Sequence, residues 1–503
     1  MAATGASSGN AKIPASVWYA TILICMQSFL QGYIFMALNP ALVMGDLKSA
    51  SDCYDGTDPS CPVGSIYNDL QLSTLEVGLA TSLVMLGGLA GCILSMKPGE
   101  LYGRRYTILM NNFVLIVGAV LSSLGSKNLL FVGRFISGLG VGCTSVLAPI
   151  LLAEMSPDAH RGTITTMHQV SVTLAILVAS FVGYFFVTYK EHGWQWCQGV
   201  EVLPCAIMLL GCKYVPESPK WLVAQGRPDD ALEQLKVLRH AGDNLQEEIR
   251  SMTADCKSVE SSAAVSWKEV FSSRRGVAIG CMLMFIQAFT GINTVVFYST
   301  TIFGFAGFKQ AILATSSFAS VNFLATIFSA YIIDIYGRKI LLFSGTCIMC
   351  VALVLLSATL LSSETSGASG LVAVFAVLLY VFGFAIGLGA VVWVMMSELI
   401  PTRSRSKAVS LFLVINWVGN FCIGLFSLEA INGLGGVSDS MSDDAVQNAE
   451  KKGVGYLYII FASTSCLACF YVWFQVPETK GKRPEDFQAE GQRGLLDGDR
   501  RGQ

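Results

Sequence analysis

Long apolar runs alternate with short polar segments along most of this chain. A helix needs roughly 20 consecutive apolar residues to cross a bilayer, and about twelve runs reach that length. They cover residues 17–44, 73–96, 106–125, 129–153, 163–188, 195–214, 276–304, 309–333, 340–362, 369–397, 407–431 and 453–476. The pattern therefore predicts an all-α polytopic membrane protein.

One long charged segment separates the sixth run from the seventh. In its stretch DDALEQLKVLRH (229–240) the apolar residues recur at helical spacing, which predicts short amphipathic helices on the membrane surface. The predicted organisation is an N-terminal tail (1–16), a six-helix bundle (17–214), a helical linker (215–275), a second six-helix bundle (276–476) and a C-terminal tail (477–503).

The sequence also repeats itself between the two predicted bundles. The repeated pairs are YGRRYTILMNN (102–112) with YGRKILLFSG (336–345), EMSPDAHRG (154–162) with ELIPTRSRS (398–406), and PESPK (216–220) with PETKG (477–481). A duplicated half of this size, with a linker between the copies, is typical of a transporter whose site lies between two bundles.

Composition agrees with a membrane location. Of the 503 residues, 53% are hydrophobic and 14% are charged, whereas a soluble domain carries about 25% charged residues. The net charge of −2 gives no basis for binding nucleic acid. The four histidines are dispersed and no nucleophile–base pair stands out, so we expect no metal, no cofactor and no enzymatic activity.

Lysine and arginine in the short loops set the predicted orientation. Both termini and the linker are predicted to be cytosolic, on the side that carries Arg104, Arg105, Arg161, Arg338, Lys339, Arg403, Arg405 and Lys407. Most of the fifteen cysteines lie in apolar runs, but Cys53 and Cys61 lie in a polar loop on the opposite side. Outside the cell these two could form a disulfide or stay reduced, and the sequence leaves both alternatives open.

Polar residues mark one face of the seventh predicted helix, FIQAFTGINTVVFYSTTIF (285–303). At about 100° per residue they fill one arc of about 120° on the helix surface. The arc contains Gln287, Thr290, Asn293, Thr294 and Tyr298, with Gly291 inside it at a point where the helix can break. Such a face either holds helices together by hydrogen bonds or binds a neutral solute rich in hydroxyl groups.

Further uncharged polar side chains lie in other predicted helices of both halves. They are Thr165, Gln169 and Thr173 beside Ile176 in the fifth, Asn322 in the eighth, Trp393 in the tenth, and Asn416, Trp417 and Asn420 in the eleventh. Singly, each amide is equally suited to helix packing. Together they offer what a pyranose needs, namely amides for its hydroxyls and an aromatic plane for its C–H face. A charged substrate would require a buried charged residue at mid-membrane, and the apolar runs indicate none.

Charged residues at the predicted cytosolic helix ends form a second set. Its members are Arg104, Arg105, Glu154, Arg161 and Glu217 in the first half and Asp334, Arg338, Glu398, Arg403 and Arg405 in the second. If they meet across the interface between the bundles, they form a latch that biases an alternating-access equilibrium. The alternative is that they only anchor the topology.

The chain resembles the sugar porter branch of the major facilitator superfamily, and especially the facilitative glucose transporters. The resemblance covers about residues 17–481 and rests on YGRR (102–105), GRFISGLGVG (133–142), EMSPDAHRG (154–162), PESPKWL (216–222), QAFTGIN (287–293), YGRK (336–339) and VPETKGK (476–482). It implies the major facilitator fold, with two six-helix bundles and a cytosolic helical linker. It also implies a sugar site formed by Gln169, Ile176, Gln287, Asn293, Asn322, Trp393, Asn416 and Trp417.

The sequence departs from the family pattern at several positions. Ala288 replaces a second glutamine of the seventh helix, and the tenth-helix stretch GLGAVVW (387–393) lacks the family's prolines. Ala385 stands where an acidic residue is common. These departures bear on sugar selectivity and on gating by the tenth helix, whereas Trp393 favours glucose over a site specific for fructose.

Coupling is inferred from the first helix. Proton-driven sugar porters resemble this chain but carry an aspartate after Gly-Tyr, where this chain has Ile34. Isoleucine cannot take up a proton, so we predict a facilitative hexose uniporter that works by alternating access. A proton-coupled hexose or polyol symporter and a transporter-like sugar sensor are the alternatives.

The expected partners are a monosaccharide and the lipid bilayer. We expect a monomer in the plasma membrane, with Thr290, Gly291 and Tyr298 as a gate.

Overall fold

The structure is a computed structural model that describes residues 13–42, 61–157, 160–240, 243–260, 266–305, 311–362, 367–400, 404–438 and 441–480. Within these ranges the regular secondary structure is helical, and eleven helical segments are long and apolar enough to cross a membrane. A helix satisfies its own backbone hydrogen bonds, which is what the interior of a bilayer requires. The helical architecture predicted from the apolar runs is confirmed.

Seven helices form the first half of the chain. They are α1 (Ala15–Met36), α2 (Thr74–Leu101), α3 (Arg104–Ser122), α4 (Lys127–Met155), α5 (Arg161–Tyr189), α6 (Gly193–Gly199) and α7 (Val202–Leu210). The start of α2 is fixed by a capping box, in which the Ser73 hydroxyl accepts from the backbone of Glu76 and the Glu76 carboxylate accepts from the backbone of Ser73. Lys127 at the start of α4 donates to the same carboxylate at 2.9 Å, which ties two helix ends together.

The sixth predicted span differs from the expectation of one continuous helix. Residues 195–214 instead contain the end of α6, the short helix α7 and a 3-10 turn (Cys212–Tyr214). The interruption falls at Val200 and Glu201, between α6 and α7. Hydropathy alone did not reveal it because most residues of the run 195–214 are apolar, so the average over the run stays high.

The linker contributes four helices, of which the first three pack together at one end of the first half and the fourth lies against the second half. They are α8 (Pro219–Ala224), α9 (Pro228–Leu238), α10 (Leu245–Glu260) and α11 (Trp267–Val270). The indole of Trp221 donates to the carbonyl of Glu100 at 2.7 Å, and Arg239 donates to the carbonyl of Met155 at 2.9 Å. We call this end of the bundle the linker end and the opposite one the far end.

The second half contains eight helices and one π-helical segment. They are α12 (Arg274–Phe289), α13 (Ile292–Phe305), α14 (Ala311–Tyr336), α15 (Arg338–Leu361), α16 (Gly367–Phe384), the π segment (Ala385–Gly389), α17 (Val391–Leu399), α18 (Arg405–Gly435) and α19 (Asp443–Gln475). The π segment interrupts the predicted tenth span. It begins just before GLGAVVW (387–393), the stretch that lacks the family's prolines, and ends inside it. The domain boundaries drawn from the sequence stay a prediction.

The repeated motifs build the same local structure twice. Gly103 and Gly337 precede α3 and α15 with φ of 98° and 87°, a region that favours glycine. Glu217 accepts hydrogen bonds from the backbone amides of Arg104 and Arg105 at 3.0 and 3.1 Å, and Glu478 accepts from those of Arg338 and Lys339 at 3.0 and 3.1 Å. Each carboxylate therefore binds the unpaired N–H groups at a helix N-terminus.

The two copies of this carboxylate differ in acidity. Burial raises the pKa of Glu217 above its usual range, although bonds from Ser218, Arg105 and Arg104 oppose this effect. Burial also acts to raise the pKa of Glu478, but four backbone amides, including that of Lys480, hold the pKa below its usual range. The difference follows from the deeper position of Glu217 under the linker.

The predicted seventh helix is broken. α12 ends at Phe289 and α13 begins at Ile292, with Gly291 between them at φ 87°. The hydroxyl of Tyr380 donates to the carbonyl of Thr290 at 2.9 Å, so a carbonyl freed by the break has a partner. The break divides the polar arc between two independent helices.

Replacing Gly291 with alanine is expected to destabilise the protein by roughly 1–3 kcal/mol, because the backbone is in a region that alanine rarely adopts. The new Cβ would also lie 2.3 Å from the ring of the buried Phe461. The check is the thermal unfolding of purified protein beside Gly433→Ala, where no heavy atom lies within 4 Å of the added Cβ. Equal melting temperatures for the two variants would contradict this account of the break.

Candidate functional site

Helices from both halves meet along the centre of the molecule. α5 packs along α14, and α2 packs along α18. Gln169 and Ile176 lie on α5 and Asn322 lies on α14, so the residues predicted in the two halves are on helices that contact each other. Ile176 is 5% exposed and Asn322 is 8% exposed, while Gln169 is half-buried.

Four amides of the second half form one continuous chain of hydrogen bonds. Asn293 on α13 donates to Asn420 at 2.6 Å, Asn420 donates to Asn416 at 3.0 Å, and Asn416 donates to Gln287 at 2.7 Å. Gln287 donates to the carbonyl of Leu388 in the π segment at 3.0 Å. The chain joins both pieces of the broken helix to α18 and to the interruption of the tenth span.

Asn420 belongs to this chain; the sequence pattern placed it among the uncharged polar candidates, whereas the family resemblance did not imply it as a sugar-binding residue. It lies one helical turn after Asn416, which is a signal that the sequence carries. Each amide in the chain has more donor and acceptor positions than these bonds occupy. The chain therefore orients its amides while leaving capacity for hydroxyl groups of a solute.

Some side-chain amides in the structure hydrogen-bond to other helices, whereas others are unoccupied, meaning that they have no protein partner among the described residues. Gln27 in α1 is fully buried. It donates to Asn112 at 2.9 Å and accepts from Asn111 and Thr144 at 2.8 Å each. In the part of the chain that the structure describes, the side-chain amides of Gln169 and Asn322 have no protein partner. An unoccupied amide at the interface between two halves is available to a ligand, because polar groups there need partners.

The two tryptophans predicted to line the site have different surroundings. Trp393 is 41% exposed, whereas Trp417 is 6% exposed. Trp417 lies against Gly88 of α2, where an added Cβ would come within 2.6 Å of the indole ring, and its ring contacts that of Phe35 at 6.4 Å. Trp417 therefore packs across the interface between the halves, and Trp393 has the more accessible ring.

At the far end the two halves are joined through α13. The hydroxyl of Tyr298 donates to the carbonyl of Gly424 and is hydrogen-bonded to Thr81 of α2. Asn39, which follows α1, donates to the carbonyl of Val296 at 2.5 Å and accepts from the amide of Thr300 at 3.1 Å. The far end is therefore closed in this conformation. Asn39 was not identified from the sequence.

The charged residues of the linker end pair within each half. Arg104 on α3 lies 3.3 Å from Glu154 at the end of α4, and Arg338 on α15 lies 3.0 Å from Glu398 on α17. Arg105 donates to the carbonyl of Cys212, and Arg161 donates to that of Ala153. These contacts brace each half, and a latch across the interface stays a prediction.

Some predicted residues lie outside the described part of the chain. They are Cys53, Arg403 and the side chains of Asp334 and Arg405. Cys61 is disulfide-bonded, but its pairing with Cys53 stays a prediction.

Two buried charged residues lie inside the apolar runs 129–153 and 195–214, although the sequence analysis expects no buried charge at mid-membrane. Arg134 on α4 and Glu201 between α6 and α7 are each 1% exposed. Arg134 donates to the carbonyls of Ala80 and Ile34 at 3.0 and 2.9 Å and attracts Glu201 electrostatically. Among the described residues, no group hydrogen-bonds to the Glu201 carboxylate. The sequence pattern failed here because single charges disappear in the average of a long apolar window.

A pH-sensitive contact lies at the far end of the first half. Asp69 accepts from the indole of Trp194 at 2.6 Å and is 2.8 Å from Nδ1 of His192. The hydrogen bond and the negative charge of Asp69 raise the pKa of His192 above its usual range. The pair joins the segment before α2 to the loop before α6.

We expect this contact to stabilise the protein at low pH and to weaken at high pH. A histidine with a raised folded-state pKa contributes its full stabilisation below its unfolded value of about 6.5 and loses it as the pH rises through the folded value. The effect is small, because the imidazole is 58% exposed and water screens the pair. The check is thermal unfolding from about pH 5.5 to pH 8.5.

His192→Asn is the matched control for this pH dependence. His192 has φ 53°, a conformation that asparagine tolerates well. The variant keeps the turn and cannot ionise. The difference in melting temperature between wild type and variant should therefore shrink as the pH rises. A difference that stays constant over the whole range would exclude the ionised pair as its cause.

Comparisons with known proteins agree with this architecture. A family model described as "Sugar (and other) transporter" matches residues 20–490. The glucose transporter GlcP of Staphylococcus epidermidis is 30% identical over 89% of this chain and 96% of its own length. Facilitated glucose transporter protein 1 of Caenorhabditis elegans is 32% identical over 83% and 80%, respectively.

Solved structures show the same fold. The xylose transporter XylE from E. coli, in a partially occluded inward open conformation, superposes with a TM-score of 0.73 at 22% identity, covering 93% of this chain and 99% of XylE. XylE, described as a major facilitator superfamily proton:xylose symporter bound to 6-bromo-6-deoxy-D-glucose, gives a TM-score of 0.71 at 23% identity. The resemblance predicted from the motifs is confirmed. This chain belongs to the sugar transporter family and is an integral multi-pass membrane protein with the major facilitator fold.

Proposed function

We propose that the protein carries a hexose of the D-glucose type by facilitated diffusion, through alternating access of one central site. The observation that carries this proposal is the set of uncharged amides at the interface between the halves. Gln169 and Asn322 are unoccupied among the described residues, and Gln287 and Asn416 are oriented by their neighbours. Uncharged donors and acceptors suit the hydroxyl groups of a neutral sugar. Relatives named as glucose transporters support the same substrate class.

Uniport is supported by the first helix. Arg134 donates to the backbone carbonyl of Ile34, at the position where proton-driven members of the family carry an aspartate. A backbone carbonyl cannot exchange a proton with solvent during transport. Sugar would then move only down its own gradient, with binding shifting the protein between its conformations.

Proton symport is the second candidate, and Glu201 is the observation that favours it. Its carboxylate is buried near Arg134 and has no hydrogen-bond partner among the described residues. A buried carboxylate without a bonded partner is more stable when it is protonated. Glu201 would then be the proton carrier in place of the absent aspartate.

Uptake of radiolabelled D-glucose into liposomes that contain only this protein separates the two candidates. Uniport predicts equilibration without accumulation, unchanged by an inward proton gradient or by a protonophore. Symport predicts accumulation that the protonophore abolishes. Absence of saturable uptake would refute both and would redirect the test to other sugars and to sensing.

Glu201→Gln provides the matched variant, since glutamine has the shape of the carboxyl group and cannot ionise. If the protein is a uniporter, uptake down a gradient should persist in the variant. If it is a symporter, accumulation should be lost while counterflow of sugar is kept.

We further propose that the linker end faces the cytosol, that both termini lie on that side, and that the protein acts as a monomer in the plasma membrane.

The gate of this transporter is proposed to be the far half of the broken helix. Tyr298 and Asn39 hold α13 against the first half, and the break at Gly291 lets α13 move independently of α12.

Glu154→Gln combined with Glu398→Gln should shift the protein toward the conformation that is open at the linker end. Unchanged labelling of a cysteine introduced between the two halves at the linker end would count against the proposed charge latch.

A further inference from the structure

Four thiols face each other between α15 and α19 in the second half. Cys347 and Cys350 lie on α15, and Cys466 and Cys469 lie on α19. The sulfurs of Cys347 and Cys469 are 3.6 Å apart, and Cys350 interacts with Cys466. The two helices run antiparallel, so the same spacing of three residues on each brings both pairs together.

Neighbouring contacts fix this register. Phe343 contacts Trp473 with ring centroids 4.8 Å apart, and Gly455 lies against Leu361, where an added Cβ would come within 2.8 Å of the leucine. The thiols therefore lie within a tightly packed helix pair and not on a mobile loop. Their spacing is set by packing on either side.

The thiol cluster opens toward the lipid. Cys466 is exposed and the other three thiols are half-buried. Leu467 is 68% exposed, Phe470 is 61% exposed and Val351 is 64% exposed, as expected for side chains that face hydrocarbon. A reagent that reaches this cluster must therefore be soluble in the bilayer.

We propose that Cys347 and Cys469 form a dithiol site for trivalent arsenic compounds that enter from the lipid. A disulfide would require the two sulfurs to close to about 2.05 Å and would require an oxidant. Arsenic(III) bonds two sulfurs that remain separate atoms, so the observed spacing fits it with little movement of the helices. Thiolate sulfur is also a soft ligand that prefers soft elements.

The reaction with phenylarsine oxide shows the chemistry. Two S–H bonds and the arsenic–oxygen double bond break, and two As–S bonds form. The oxygen leaves as water with both thiol protons. Arsenic remains in its +3 state, so the step needs no oxidant or reductant.

The test measures the intact mass of the full-length protein after incubation with phenylarsine oxide. Wild type should gain at least one bridged adduct, and Cys347→Ser and Cys469→Ser should each gain one fewer. Cys25→Ser, at a buried thiol that hydrogen-bonds to Ser171, should gain as many as wild type. A competing small dithiol should remove the adduct.

Two results would overturn the proposal. One is a wild-type protein that takes up no adduct, and the other is a Cys347→Ser variant with the same number of adducts as wild type. If Cys347→Ser fails to fold, Cys469→Ser alone decides, because it removes the other sulfur of the same pair. A rise of the melting temperature in wild type, absent from both variants, would show that the adduct bridges α15 and α19.

Discussion

Gln169→Leu is expected to weaken the apparent affinity for D-glucose by about 30-fold while leaving the protein as stable as wild type. The side-chain amide of Gln169 has no protein partner among the described residues, so its removal leaves no protein group unsatisfied. A sugar that loses two hydrogen bonds of about 1 kcal/mol each would bind about 30-fold more weakly. The check is the concentration dependence of D-glucose uptake into liposomes, together with thermal unfolding.

Gln27→Leu is the matched control, because it makes the same substitution at an amide that the protein already uses. Asn111, Asn112 and Thr144 would each lose a hydrogen bond to Gln27. Asn111 and Thr144 keep bonds to the carbonyl of Gly140, but the side-chain oxygen of Asn112 would have no donor among the described residues. Each unsatisfied buried group costs about 1–3 kcal/mol, so this variant should unfold at a lower temperature. Opposite outcomes, with Gln169→Leu unstable and Gln27→Leu weak in affinity, would refute the assignment of the two amides.

This pair of residues also shows what the sequence could establish. Gln27 and Gln169 both lie as isolated amides in apolar runs, and hydropathy treats them alike. Only the partners in the folded protein distinguish packing from binding. The helical architecture follows from the apolar runs, because helices satisfy their own backbone hydrogen bonds in a bilayer and about 20 apolar residues span it.

The broken seventh helix was within reach of the sequence, whereas the broken sixth span was not. Gly291 lies inside a polar arc, and glycine permits the observed φ of 87°. Val200 and Glu201 carry no comparable signal, and the burial of Glu201 is likewise not evident from the sequence. Interactions between residues distant in sequence decide such features.

Contacts between the halves were likewise beyond the sequence. Asn39 lies near the end of the first apolar run (17–44) and precedes Pro40, which is typical of a turn. In the structure it binds the carbonyl of Val296 and the amide of Thr300. These two groups lie four residues apart within the continuous helix α13, so the side chain of Asn39 binds across one turn of that helix.

Asn39→Ala is therefore expected to favour opening of the far end. The variant loses the bonds to Val296 and Thr300 and a third, to the hydroxyl of Ser299 at 2.8 Å. Val296 and Thr300 lie within the regular helix α13, where backbone groups four residues apart bond to each other, so separation from Asn39 leaves no backbone group unsatisfied. Two to three bonds of about 1 kcal/mol each correspond to a shift of roughly 30- to 150-fold toward the open state.

Labelling of a Ser82→Cys reporter by a membrane-impermeant maleimide measures this shift. Ser82 is fully buried in α2 and lies against Gly424 of the second half, so the reporter reacts only when the far end opens. Asn432→Ala is the matched control, because Asn432 also joins the halves at the far end but makes only one long bond, 3.4 Å to Thr74. Labelling should accelerate strongly in Asn39→Ala and little in Asn432→Ala. Equal labelling rates in the two variants would mean that Asn39 does not hold the far end closed. The loss of its three bonds would then shift the equilibrium between the closed and open states no more than the loss of the single long bond of Asn432.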